Sequence, residues 1–179
     1  MFNVSEIFTA APKSFNNPLQ QKTYQALQSL DIPFERVETD EAITMDDCKA
    51  IDNKLEMDMV KTLFLCNRQQ TAFYLFITKG AKPFSSKAFS QALGISRVSF
   101  APADLMKKLL GTKIGAATVF SALNDTKNTV EIVFDKDVLS QKWYGCSDGT
   151  TTGYMKIATN LITDTFLPYA GHKAHIIEV

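Results

Sequence analysis

The chain has 179 residues, 45% of them hydrophobic and 21% charged, which suits a folded domain with a real core and excludes a disordered one. Nineteen basic residues balance nineteen acidic ones. Zero net charge argues against a protein that grips a long stretch of nucleic acid, and leaves one that holds a single nucleic-acid end or a small molecule.

Residues 1–15 read as an irregular lead-in. Asn17-Pro18 reads as a cap and first turn, opening a helix whose apolar stripe is Tyr24, Leu27 and Leu30. Pro33 ends it, and Pro33–Glu38 is a short strand. Thr44 to Asp47 resembles a capping box with Asp in place of Glu, starting a helix to about Leu55. Lys61–Cys66 and Thr71–Thr78 form a β-hairpin, and the unbroken apolar run Phe73–Ile77 predicts a strand covered on both faces. Ser85-Ser86 caps a helix that stops at Gly94, and Arg97–Phe100 is a short strand. Pro102 opens a helix over Ala103–Leu110, closed by Gly111. Ala116–Phe120 and Val130–Phe134 read as strands, with a turn-rich stretch over Asn124–Asn128. Thr152–Ile157 is a further strand. Thr159 caps a helix reaching about Leu167, with Pro168 beyond, and Ala174–Val179 is the final strand. Hairpins mixed with helices, without strict βαβ alternation, predict an α/β (α+β) fold of residues 1–179 as one domain.

The three cysteines, Cys48, Cys66 and Cys146, form no CxxC pair, so neither disulfides nor structural zinc are expected. Cys48 and Cys66 read as core residues, and a Cys–His pair stays open for Cys146. The N-terminus lacks a signal peptide's basic region and long apolar run, and no segment approaches the roughly 18 apolar residues of a membrane span. The sequence therefore predicts a cytoplasmic protein with no membrane partner. No GxSxG elbow, HExxH or Walker loop occurs. His172 and His175 have only Glu178 near them as a third ligand, so no metal and no cofactor is expected. A hydrolase built on this chain would rely on positioning and backbone donors.

Four features carry candidate chemistry. Lys61 heads an apolar strand; it is either a solvated strand end or a cation for a phosphate or carbonyl. Gly115-Ala116-Ala117-Thr118 is either a turn or a place where backbone N–H groups approach a ligand. Gly145 to Gly153 is either a flexible loop or a hydroxyl- and amide-lined binding loop. His172 is either a satisfied structural histidine or a partner for ribose or phosphate.

In this order the features resemble the YbaK/aminoacyl-tRNA synthetase-associated editing domain, most closely its prolyl-tRNA deacylase branch, over Leu19 to Val179. The family's K-N-L-F-L strand is similar to Lys61-Thr62-Leu63-Phe64-Leu65. Its R-L-S-F-A run is similar to Arg97-Val98-Ser99-Phe100-Ala101. Its G-x-V-T-P-F loop is similar to Gly115 through Phe120, its H-P-x-x-N-x-A-T loop falls on Gly145 to Thr152, and its closing G-H resembles Gly171-His172. The resemblance implies a mixed, strongly bent or barrel-like β-sheet flanked by helices, and hydrolysis of mischarged tRNA, with Ala-tRNA(Pro) as the branch's substrate. It implies the tRNA 3′ acceptor end as partner, tRNA(Pro) in particular, with prolyl-tRNA synthetase as an associated one. Lys61 and Gly115 would be catalytic, Lys61 at the terminal phosphate or the ester and Gly115 through backbone N–H groups. Thr62, Ala116, Thr118, Phe120, Gly145, Asp148, Gly149, Thr150, Thr152 and His172 would bind substrate, Phe120 setting pocket size. The attacking water would be helped by the tRNA's own ribose hydroxyl, without a covalent nucleophile. Thr62, Val119, Gly145-Cys146 and Gly149 stand where the branch has Asn, Pro, His-Pro and Asn. These departures keep an alternative reading, a non-catalytic paralogue that binds aminoacyl-tRNA or a synthetase.

Overall fold

The computed structural model describes residues 1–179. Helices α1 (Pro18–Ser29), α2 (Met45–Leu55), α3 (Ser86–Leu93) and α4 (Ala103–Leu110) fall where the sequence places them. Their ends follow local chemistry. Asn17 caps α1 by accepting from Gln20 N–H, Thr44 and Asp47 complete the capping box of α2, and Gly94 and Gly111 end α3 and α4 in the left-handed region.

The strands are β1 (Glu35–Glu38), β2 (Val60–Asn67), β3 (Phe73–Lys79), β4 (Val98–Phe100), β5 (Val130–Asp135), β6 (Trp143–Ser147), β7 (Gly153–Ala158) and β8 (Ala174–Ile177). A five-stranded sheet runs β4-β2-β3-β5-β8, antiparallel around β2 and parallel from β3 to β8. An antiparallel sheet runs β1-β7-β6. A bridge between Met59 and Gly145 joins the two, so the β structure bends from one sheet into the other.

Alternation along the central strands divides the interior. Leu75 and Ile77 face a large apolar cluster shared with α1, β6 and β7, while Tyr74 and Phe76 face a smaller one beneath α3. The run Phe73–Ile77 is therefore covered on both faces. The lead-in forms no regular element, but Val4 and Phe8 bridge Thr39 and Arg36, and the Arg36 guanidinium lies 4.7 Å above the Phe8 ring. No helix is long and apolar enough to cross a membrane.

Three expected elements differ. Residues 116–120 are not a strand: they are a buried loop entering a 3-10 helix at Val119–Leu123. The Thr118 hydroxyl, which donates to Ser147 O at 2.7 Å and accepts from Phe120 N–H, competes with a ladder here. The stretch Gly145–Gly153 is not one loop, since Gly145, Cys146 and Ser147 belong to β6. Finally, Thr159 does not cap the helix after β7 but is its first residue: its hydroxyl is buried without a hydrogen-bond partner, while its N–H donates to Lys142 O, just before β6, at 3.0 Å. It also runs on through Pro168 to Tyr169, widening into a π turn over Ile162–Phe166 that accommodates the missing proline N–H.

Candidate active site

The β6–β7 hairpin tip, Asp148 to Thr152, is held from below by a buried carboxylate. Asp148 is 1% exposed. Its Oδ2 accepts from Gln20 Nε2 at 2.9 Å and from the Tyr24 hydroxyl at 2.8 Å. Its Oδ1 accepts from the Thr150 hydroxyl at 2.8 Å and Thr150 N–H at 3.2 Å. Burial, and next the Asp148 charge, push the Tyr24 phenol far above its ordinary range, so it stays a donor. Gly153 must be glycine: a Cβ there would lie 2.3 Å from Asp148 Oδ2. Asn17 completes the anchor, because its side-chain amide donates to Gly149 O at 3.0 Å while its oxygen caps α1.

The loop after α4, Gly111 to Thr118, lies against this tip. Gly115 has φ +90°, which a side chain rarely adopts, and a Cβ on it would sit 3.6 Å from Thr151 Cγ2. Ala116 N–H donates to Lys113 O, but the N–H groups of Gly115, Ala117 and Thr151 donate to no acceptor in the protein. Between the loops, α4 and the N-terminus of α1 lies a cleft of about 1060 Å³, lined among others by Asn17, Glu41, Asp104, Lys107, Lys113 and Thr150 to Thr152. Glu41 is fixed beside the tip, since Ala42 N–H donates to Thr151 O at 3.2 Å and the Thr151 hydroxyl donates to Glu41 Oε1 at 3.2 Å. A second cleft of about 940 Å³ lies between the lead-in and the same hairpin, and the two share Asn16 and Thr152.

Of the residues singled out by sequence, Gly149, Thr150 and Thr152 line the first cleft, Gly115 packs against Thr151 beside it, and Asp148 and Thr118 brace the two loops. The others lie elsewhere. Ala116 and Phe120 are fully buried, and Phe120 packs edge-on against Phe166. Gly145 sits in β6 at its bridge to Met59, and Thr62 lies on β2, paired with Ile77. His172 is a buried structural residue: its Nε2 hydrogen-bonds the Asp125 carbonyl at 2.9 Å.

Lys61 is not in the cleft. It shares its face of the five-stranded sheet with Thr78, and its ammonium donates to Lys82 O. Lys82 in turn pairs with Asp135 at 2.8 Å and Asp137 at 2.9 Å. Burial alone would raise the Asp135 carboxyl, but hydrogen bonds from Lys82, Asp137 N–H and Thr78 hold it below its ordinary range. Cys146 is no nucleophile: it is buried, and burial pushes its thiol far above the ordinary range. Cys66 is buried as expected, and Cys48 only half-buried.

Sequence reasoning read Asn17 only as a helix cap and Tyr24 only as part of an apolar stripe, and it missed Gln20, Glu41, Lys107 and Lys113 entirely. Each lies in a segment that reads as ordinary helix or surface loop. Gly111-Thr112-Lys113 at the end of α4, leading straight into Gly115, was the one local signal available.

A family model described as the aminoacyl-tRNA editing domain matches residues 39–164, which include both loops of the cleft. The prolyl-tRNA editing protein ProX of Acetoanaerobium sticklandii is 30% identical over 122 residues, 68% of this chain and 74% of that protein. Two solved structures share the fold. A candidate trans-editing enzyme for prolyl tRNA synthetase superposes with a TM-score of 0.64 at 15% identity, covering 93% of this chain and 99% of its own. The hypothetical protein APE2540 does so with a TM-score of 0.67 at 16% identity, covering 87% and 98%. On the family match and the ProX relative, the chain belongs to the aminoacyl-tRNA editing domain family.

Proposed function

We propose that this protein is a trans-editing aminoacyl-tRNA deacylase that hydrolyses the ester of mischarged tRNA, with alanine on tRNA(Pro) as its substrate. The observation that supports the reading is the meeting of the Gly111–Thr118 loop and the Asp148–Thr152 tip beside one cleft, with the N–H groups of Gly115, Ala117 and Thr151 left without an acceptor in the protein. Ester hydrolysis develops negative charge on the carbonyl oxygen, and fixed N–H donors stabilise that charge without reorganising. The ProX relative, a prolyl-tRNA editing protein, supports tRNA(Pro) as the acceptor.

In this reading the acyl group enters beside Gly115, and Lys107 and Lys113 meet phosphate at the mouth. Thr118 and Asp148 hold the two loops in register. Lys61 supports the turn at Lys82 rather than meeting the ester. Phe120 acts from the core, beneath Ala116 to Thr118. No cysteine, serine or histidine lines the cleft. In this reading the attacking water acts without a covalent intermediate, helped by the substrate's own ribose hydroxyl.

The test is deacylation of tRNA(Pro) charged with alanine, serine, cysteine or proline. Release of alanine, with proline left in place, is expected. The missing nucleophile also favours a second reading, a module that binds aminoacyl-tRNA without turnover. Filter binding in parallel separates the two: retention of charged tRNA with no release of amino acid would replace the first reading by the second.

A further inference from the structure

Glu41 and Lys113 face each other across the mouth of the cleft, one from the segment before α2 and the other from the loop after α4. Their charged groups lie 3.7 Å apart, and their side chains are 56% and 71% exposed. A pair so exposed adds little to folding, so both charges are free to be redirected to a ligand. The pair is nonetheless placed with care. Glu41 is held to the hairpin tip through its carboxylate by the Thr151 hydroxyl and through its neighbour Ala42 by the Thr151 carbonyl. Lys113 is held through its own carbonyl, which accepts from Ala116 N–H next to Gly115.

An aminoacyl-tRNA 3′ end carries the complementary charges: an α-ammonium next to the ester carbonyl, and a phosphate one nucleoside away. We infer that Glu41 reads the α-ammonium of the aminoacyl ester, and that the Glu41–Lys113 pair opens on binding, the carboxylate taking the ammonium and Lys113 the phosphate. This rests on the deacylase reading above. Asp104 is the other carboxylate in the cleft. It sits in the first turn of α4, where a negative charge suits the helix dipole, and no hydrogen bond ties it to either loop.

The test compares alanyl-tRNA(Pro) with N-acetyl-alanyl-tRNA(Pro), whose nitrogen carries no charge. The wild type is expected to prefer the free amine by roughly tenfold in kcat/KM, the usual worth of one charged hydrogen bond. Glu41→Gln should remove that preference, through a higher KM for the free-amine ester and no change for the acetylated one. Thermal melting checks that the variant is folded.

Equal turnover of both esters by the wild type overturns the inference while leaving the deacylase reading intact. So does a Glu41→Gln variant that loses kcat equally on both, which would make Glu41 a general base. Loss of the preference in Asp104→Asn instead of Glu41→Gln overturns it too. If the wild type deacylates neither ester, the deacylase reading falls, and the inference falls with it.

Discussion

Beneath the cleft, the Asp148 carboxylate takes four hydrogen bonds while almost wholly shielded from water, two from α1 and two from Thr150. Removing it by Asp148→Ala strands the Gln20 amide and the Tyr24 hydroxyl, both already buried. The expected loss of stability is about 3 kcal/mol by urea denaturation, because unsatisfied buried donors cost more than a lost surface contact. Asp148→Asn keeps one acceptor oxygen and should lose less. Deacylation should fall in both, since the hairpin tip no longer holds Thr151 against Gly115. A change in stability below ~0.5 kcal/mol for Asp148→Ala would place the anchor elsewhere. At this scale the sequence was informative only where composition is unusual. The run of small polar residues from Gly145 to Gly153 drew attention to Asp148 and Thr150, and the positive φ at Gly115 suits the glycine found there. Gln20, Tyr24 and Glu41 carry no such mark. They become site residues only through contacts with partners far along the chain, and no local pattern encodes those.

Elements were legible where periodicity and end chemistry agree. The capping box at Thr44 and Asp47, the glycines after α3 and α4, and the apolar hairpin all specify their ends within a few residues. They were not legible where a side chain diverts the backbone, as Thr118 does before Val119, or where a π turn lets a helix pass a proline at Pro168. The junction of α2 with β2 gives a test at this level. Asp52, in α2, accepts from Met59 N–H at 3.0 Å and so fixes the approach to β2. Burial, and the nearby Asp58, raise its carboxyl to about 6, against a partial lowering by the Met59 bond. A carboxyl raised on folding makes the folded state bind protons more tightly than the unfolded one, so stability falls as pH climbs from the unfolded value of 3.8 through about 6. Asp52→Asn keeps the acceptor and removes the charge. It should melt at a higher temperature than the wild type above that window, and the gain should vanish on acidification below it. A gain independent of pH would assign the effect to something other than the buried charge.

The whole molecule carries no net charge, and the two cations that line the cleft, Lys107 and Lys113, share it with Glu41 and Asp104. That balance suits a protein that recognises the end of a tRNA rather than its body. Neutralising a phosphate releases condensed counterions, so the salt dependence of binding counts the phosphates held, at about 0.7 per contact on a single strand. Two contacts predict a slope of log K against log salt near −1.4, which weakens binding roughly sevenfold between 50 and 200 mM salt. The tRNA's 3′ end is single-stranded, so this lower coefficient applies. Lys113→Ala should flatten the slope by about 0.7, and the double variant with Lys107→Ala should leave little salt dependence. Filter binding of charged tRNA across a salt series measures this directly. A slope several times steeper would require phosphate contacts along the acceptor stem, from lysines outside the cleft. It would then be the distribution of charge over the surface, rather than its sum, that governs how this protein meets its tRNA.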